Sequence, residues 1–70
     1  MMRYPMSISF DPLWKTLIDR KLKKTELAEK AGLSKSTLYQ LSHDQSVTLD
    51  TIVKICEALE CSIVDVVEIK

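Results

Sequence analysis

Apolar residues recur at helical spacing along most of the chain, and the interruptions fall where helices start or stop. Leu13, Trp14, Leu17 and Ile18 stand at i, i+1, i+4 and i+5, which draws one stripe along a helix. Asp11-Pro12 precede that stripe, so Asp11 is expected as the N-cap and Pro12 as the first helical residue. Arg20 and Lys21 suit the negative end of the helix dipole and place its end near Lys21. Leu49, Ile52, Val53, Cys56 and Leu59 form the longest stripe. The pattern predicts helices over 12–21, 24–31, 35–42, 49–59 and 63–67.

Three of these starts share a device. Ser34, Thr48 and Ser62 each sit just before a helical pattern, where a hydroxyl can accept from a free backbone N–H. Each is bracketed by apolar residues before the cap and four after it: Leu33 with Leu38, Val47 with Ile52, Cys61 with Val66. Such pairs fix the angle at which the chain enters a helix. Asp65, three residues beyond Ser62, adds an acidic form of the capping box.

At the two ends the period drops to two. Met6, Ile8 and Phe10 alternate with Ser7 and Ser9, and Val66, Val67 and Ile69 form a β-branched tail. An arm at Ile8–Phe10 is expected to pair with Val66–Ile69 as a small β-ribbon. The fold expected is one all-α domain over residues 1–70, five helices with a short ribbon from the termini.

Composition agrees: 46% apolar residues, one glycine and two prolines describe a packed helical domain rather than a disordered chain. Seventy residues support a core worth only ~3–5 kcal/mol, and association with a second copy is one means of strengthening it. The net charge is zero, which alone argues against nucleic acid, but the charges are segregated. Residues 12–40 carry seven cations and three anions, whereas residues 41–70 carry two cations and six anions. A positive half can face phosphate while a negative half faces away.

Little points to chemistry. Cys56 and Cys61 are too few for a disulfide framework and wrongly spaced for zinc, so they are expected as small buried thiols in a reducing compartment. A single His43 and a single Gly32 support neither a nucleophilic triad nor a phosphate-cradling loop. No signal-peptide core or membrane-length apolar run is present. The expectation is a cytoplasmic protein that is not an enzyme, with no cofactor, no metal, no membrane partner and no small-molecule substrate.

The informative stretch is KTELAEKAGLSKSTLYQL, Lys24 to Leu41. Ala28 is small enough to let a following helix cross closely. Gly32 takes the left-handed conformation that ends one helix and turns the chain sharply. Leu33, Leu38 and Leu41 then face inward. The outward set is Lys35, Ser36, Thr37, Tyr39 and Gln40, all able to hydrogen-bond and all on a helix of the size that fits a DNA major groove. Ser34, Lys35 and Ser36 stand at the helix N-terminus, where free N–H groups favour phosphate.

At these residues the chain resembles the lambda repressor-like (Cro/CI, XRE) regulators. TELAEKAGLSKSTLYQL is similar to their helix-turn-helix, and VTLDTIVKICEALECSIVDVV to their fourth and fifth helices, so the resemblance spans roughly residues 13–67. It implies a five-helix transcription regulator that binds double-stranded DNA as a homodimer. The helix-turn-helix unit lies at about 24–42 with its recognition helix at Lys35–Ser42. It implies further that Lys35, Ser36, Tyr39 and Gln40 face bases, and that Lys24 supports the recognition helix and touches phosphate. With Ser34, Thr37 and the loop residue His43, these make the expected DNA-binding set. The chain departs from the family pattern at Lys23 (usually a Thr cap), at Lys24 (commonly Gln) and at Glu60 (often Gly or Asn). It also departs at the loop His43-Asp44-Gln45-Ser46, which is frequently basic. Two other roles fit the same fold: a protein-interaction module without DNA affinity, and an antitoxin-like protein that also holds a toxin.

Overall fold

The computed structural model describes residues 7–70, so Met6 of the alternating N-terminal stretch lies outside them. In chain order the elements are β1 (Ile8–Ser9), α1 (Asp11–Asp19), α2 (Lys24–Ala31), α3 (Lys35–Ser42), α4 (Leu49–Leu59), a 3₁₀ turn (Ile63–Asp65) and β2 (Glu68–Ile69). The ribbon forms as expected, antiparallel, with Ile8 opposite Ile69 and Ser9 opposite Glu68. Ser7 and Lys70 extend it by exchanging backbone hydrogen bonds of 3.1 and 2.8 Å. An ion pair of 2.8 Å between Lys70 Nζ and Asp11 Oδ2 ties the last residue to the start of α1.

The expected fifth helix is instead a single 3₁₀ turn. Ser62 and Asp65 start it as foreseen: the Asp65 carboxylate accepts from the Ser62 backbone N–H at 3.3 Å. The bonds then run three residues back, Asp65 N–H to Ser62 O and Val66 N–H to Ile63 O, both 3.0 Å. Ile63, Val64, Val66 and Val67 are β-branched and poor at prolonging a helix, and the chain is drawn at once into β2. Among the described residues there are therefore four α-helices, not five.

The start of α1 differs by one residue. Phe10 occupies the cap position and Asp11 lies inside the helix. The acceptor is Ser9 Oγ, which takes the Asp11 N–H at 3.2 Å; Ser9 is the one buried polar residue among those described. The starts of α3 and α4 are as expected, with Ser34 Oγ accepting from Thr37 N–H and Thr48 Oγ1 from Thr51 N–H, each at 3.2 Å. At α2, where Lys23 has no acceptor to offer, Glu26 reaches back to the Lys23 N–H at 2.9 Å and supplies the other half of a capping box.

All four helices stop in the same way. A residue with positive φ is followed by one whose N–H reaches back five residues, the Schellman arrangement. The positive-φ residues are Lys21 (56°), Gly32 (68°), Asp44 (52°) and Glu60 (51°). The closing bonds are Leu22 to Leu17 O, Leu33 to Ala28 O, Gln45 to Gln40 O and Cys61 to Cys56 O, between 2.8 and 3.0 Å. Only one of these four stops uses glycine. Cys56 and Cys61 are free, half-buried, and occupy the two positions of the motif whose side chains usually touch. Desolvation, and then the neighbouring Cys56, push the Cys61 thiol above its ordinary pKa, which suits packing rather than reactivity.

The core is one cluster: Phe10, Leu13, Leu17, Leu27, Ala31, Leu41, Ile52, Ile55, Leu59 and Val66. It differs from the sequence stripes at their margins. Ile18 is 74% exposed, and in α4 the innermost residue is Ile55, while Leu49 and Val53 are 75% and 52% exposed. Of the three leucines expected to face inward from the helix-turn-helix, Leu41 is fully buried while Leu33 and Leu38 are half-buried.

Candidate nucleic-acid interface

The helix-turn-helix consists of α2, the turn at Gly32 and α3. Gly32 has φ 68°, and a Cβ added there would meet nothing within 4 Å, so glycine is favoured there by backbone conformation and not by crowding. Leu27, Ala31 and Leu41 turn inward and are buried, and α2 lies against both α3 and α4. This packing orients α3. With Leu41 in the core, the opposite side of an eight-residue helix faces out.

On that side the expected residues come together. Lys24, Ser34, Lys35, Ser36, Tyr39 and His43 are exposed, and Thr37 and Gln40 are half-buried. Two open hollows flank the ridge they form. One is lined by Lys24, Lys35, Leu38, Tyr39, Ser42 and His43. The other is lined by Thr37 and Gln40 of α3 with Ser46, Val47, Thr48 and Thr51 from the start of α4. Ser46, Thr48 and Thr51 were absent from the sequence-derived set; hydroxyls clustered around a helix start were the available signal.

Several of these side chains already have partners. Ser34 Oγ and Thr37 Oγ1 share a hydrogen bond of 3.1 Å within the cap, so their first task is to hold the N-terminus of α3. The Lys24 ammonium sits 4.3 Å from the centre of the Trp14 ring and donates to Ser42 Oγ at 3.4 Å. The rings of Tyr39 and His43 stack, with centroids 4.0 Å apart and planes 25° from parallel. His43 Nδ1 lies 2.9 Å from the Tyr39 carbonyl. A carbonyl oxygen only accepts, so Nδ1 carries the hydrogen and Nε2 is left for an outside partner.

Asp44, an acidic residue in the loop that is frequently basic in the family, is exposed but bonded to the rest of the fold. Its Oδ1 accepts from the Phe10 backbone N–H at 2.9 Å, anchoring the loop to the junction of β1 and α1. Among the described residues, no group of three or more His, Cys, Asp or Glu side chains could hold a metal ion. No helix there is long and apolar enough to cross a membrane.

Comparison with known proteins agrees with this geometry. Residues 12–70 match the family model of the Cro/C1-type HTH DNA-binding domain. The crystal structure of the transcriptional regulator VanUg, Form II, superimposes with a TM-score of 0.92 at 41% identity. The alignment covers 100% of this chain and 93% of that one. No curated protein matches. A buried inner face that orients α3, a polar outer face and a family match across nearly the whole chain meet in one conclusion: the protein belongs to the Cro/C1-type helix-turn-helix DNA-binding family.

Proposed function

We propose that the chain is a sequence-specific transcription regulator, a repressor that binds double-stranded DNA as a homodimer with α3 in the major groove. One observation carries this reading. The inner face of α3 is locked by Leu41, and its outer face presents Lys35, Ser36, Tyr39 and Gln40 with no covering segment among the described residues. In this arrangement Lys35, Ser36, Tyr39 and Gln40 face base edges, while Lys24 and the cap hydroxyls hold the backbone. The hydroxyl-lined hollow at the start of α4 would receive a second stretch of backbone.

The dimer rests on the surface left apolar. Leu49, Ile63 and Ile69 are 75%, 49% and 71% exposed and surround a groove floored by Phe10 and Ile52. Val53 adjoins them one turn along α4 from Leu49. A second copy of this chain is the occupant we assign, because an uncharged apolar patch is complementary to itself under two-fold symmetry. Such a pair would set two half-sites one DNA turn apart, roughly 34 Å.

The test uses duplexes selected from a random pool, titrated at several salt concentrations. Lys24→Ala should reduce the log–log salt slope by about 0.9 with sequence preference intact. Gln40→Ala should relax preference at one base pair, at a cost of roughly 1–3 kcal/mol. Identical behaviour of the two variants would refute these roles. Sedimentation of Val53→Glu beside wild type tests the dimer, which a monomeric wild type at micromolar concentration would rule out.

A further inference from the structure

A lysine on a helix surface is a poor fixed contact. Its four-carbon stem explores many rotamers, and holding it against one phosphate sacrifices that freedom. Lys24 differs because three helices converge on its ammonium. The stem rises from α2, the Trp14 ring of α1 lies 4.3 Å from Nζ, within the range of a cation–π contact, and Ser42 Oγ at the end of α3 accepts at 3.4 Å. Trp14 is half-buried and packs against the core, so the surface on which the ammonium rests is itself fixed. The hollow beside it is lined by Lys24, Lys35, Leu38, Tyr39, Ser42 and His43, with no carboxylate. An ammonium has three N–H groups, and Ser42 takes one.

We infer that Trp14 is a positioning residue for DNA binding: its indole face, with Ser42, holds Lys24 ready for a backbone phosphate entering that hollow. The inference rests on the DNA-binding reading above and adds to it a residue outside the helix-turn-helix. Ordering of Lys24 is completed on folding, so binding a phosphate no longer has to supply it.

Trp14 is the single tryptophan of the chain, so the indole emission comes from this side chain and responds to changes in its surroundings, the Lys24 ammonium among them. In the free protein, Lys24→Ala should shift the Trp14 emission; an unchanged spectrum would show that the ammonium does not rest on the ring. With a selected duplex, Trp14→Leu should weaken binding roughly three-fold, the scale of an exposed cation–π contact. The salt slope should stay near the wild-type value, because Lys24 is still present. Trp14→Phe should restore most of the loss. Trp14→Leu combined with Lys24→Ala should bind no worse than Lys24→Ala alone, which a merely structural role for Trp14 would not produce. Additive losses, or tighter binding by Trp14→Leu because the indole competes with phosphate for Lys24, would overturn the inference. Should Trp14→Leu fail to fold, Trp14→Phe in the two Lys24 backgrounds gives the same cycle at smaller amplitude. Wild-type protein that ignores duplexes in dilute buffer would instead sink the DNA-binding reading itself, while the emission measurement would still judge the contact.

Discussion

Replacing Glu60 by glycine should make the protein more stable, although it removes a side chain and adds nothing. Glu60 ends α4 with φ 51° and ψ 52°. A residue bearing a Cβ is strained there by ~1–2 kcal/mol, and glycine is not. Against this gain stands the greater freedom of glycine in the unfolded chain, about 0.4–1 kcal/mol. A second gain comes from charge. Glu60 places an anion at the negative end of the α4 dipole, and its removal contributes ~0.3–1 kcal/mol. The balance is about 1 kcal/mol in favour of Glu60→Gly. For a domain of this length that corresponds to a rise of about 4–8 °C in Tm. Thermal and urea unfolding followed by circular dichroism measure it directly, with Glu60→Gln as the companion because it removes the charge and leaves the strain. Gly should exceed Gln by several tenths of a kcal/mol. Equal stabilisation by the two would refute the backbone argument and leave only the dipole.

Three further outcomes follow from the same geometry. Gly32→Ala, at φ 68° with open space around a new Cβ, should cost the backbone strain of ~1–2 kcal/mol less the ~0.4–1 kcal/mol by which alanine restricts the unfolded chain, and a loss above 3 kcal/mol in urea melts would mean that packing had been misjudged. Leu41→Ala empties a fully buried site at a cost of ~2–5 kcal/mol, close to the whole margin of so small a domain, so its circular dichroism at 25 °C should be largely that of an unfolded chain. The hydrogen bond and charge of Lys70 lower the pKa of Asp11, and Asp11 raises that of Lys70. Their contribution is therefore present between the ordinary carboxylate and lysine ranges and is lost as pH falls through the depressed Asp11 value or rises through the elevated Lys70 value; Asp11→Asn should flatten the acid limb of a stability–pH profile, and an unaltered limb would remove the pair from the account.

The parts of the molecule legible in sequence were those set by local chemistry. The hydroxyl caps at Ser34 and Thr48, the glycine stop at Gly32 and the outward set on α3 depend on residues within a few positions of one another. The ribbon was legible because both ends switch to a period of two. What escaped was decided at long range or by geometry that tolerates many residues. Ile55 was overlooked because it falls between the two lines of a broad apolar face, and which line points inward depends on where α2 lies. Lys21, Asp44 and Glu60 end helices without being glycine, and nothing in their side chains announces positive φ. The fifth helix was misjudged because a sound capping signal was followed by β-branched residues already committed to a strand. The Lys24–Trp14 contact joins positions ten residues apart on different helices, beyond the reach of any periodicity.

Asp44 carries a consequence for anyone seeking a tighter binder. Exchanging this anion for lysine is the obvious change to a loop beside the recognition helix. Yet its carboxylate accepts the Phe10 amide, and its backbone closes α3 at φ 52°. A lysine there would leave that amide unmatched where the chain enters its first helix. Affinity and foldedness are thus tied to one atom, and improving the grip on DNA by added positive charge should begin at the neighbouring Gln45 or Ser46, both neutral and exposed.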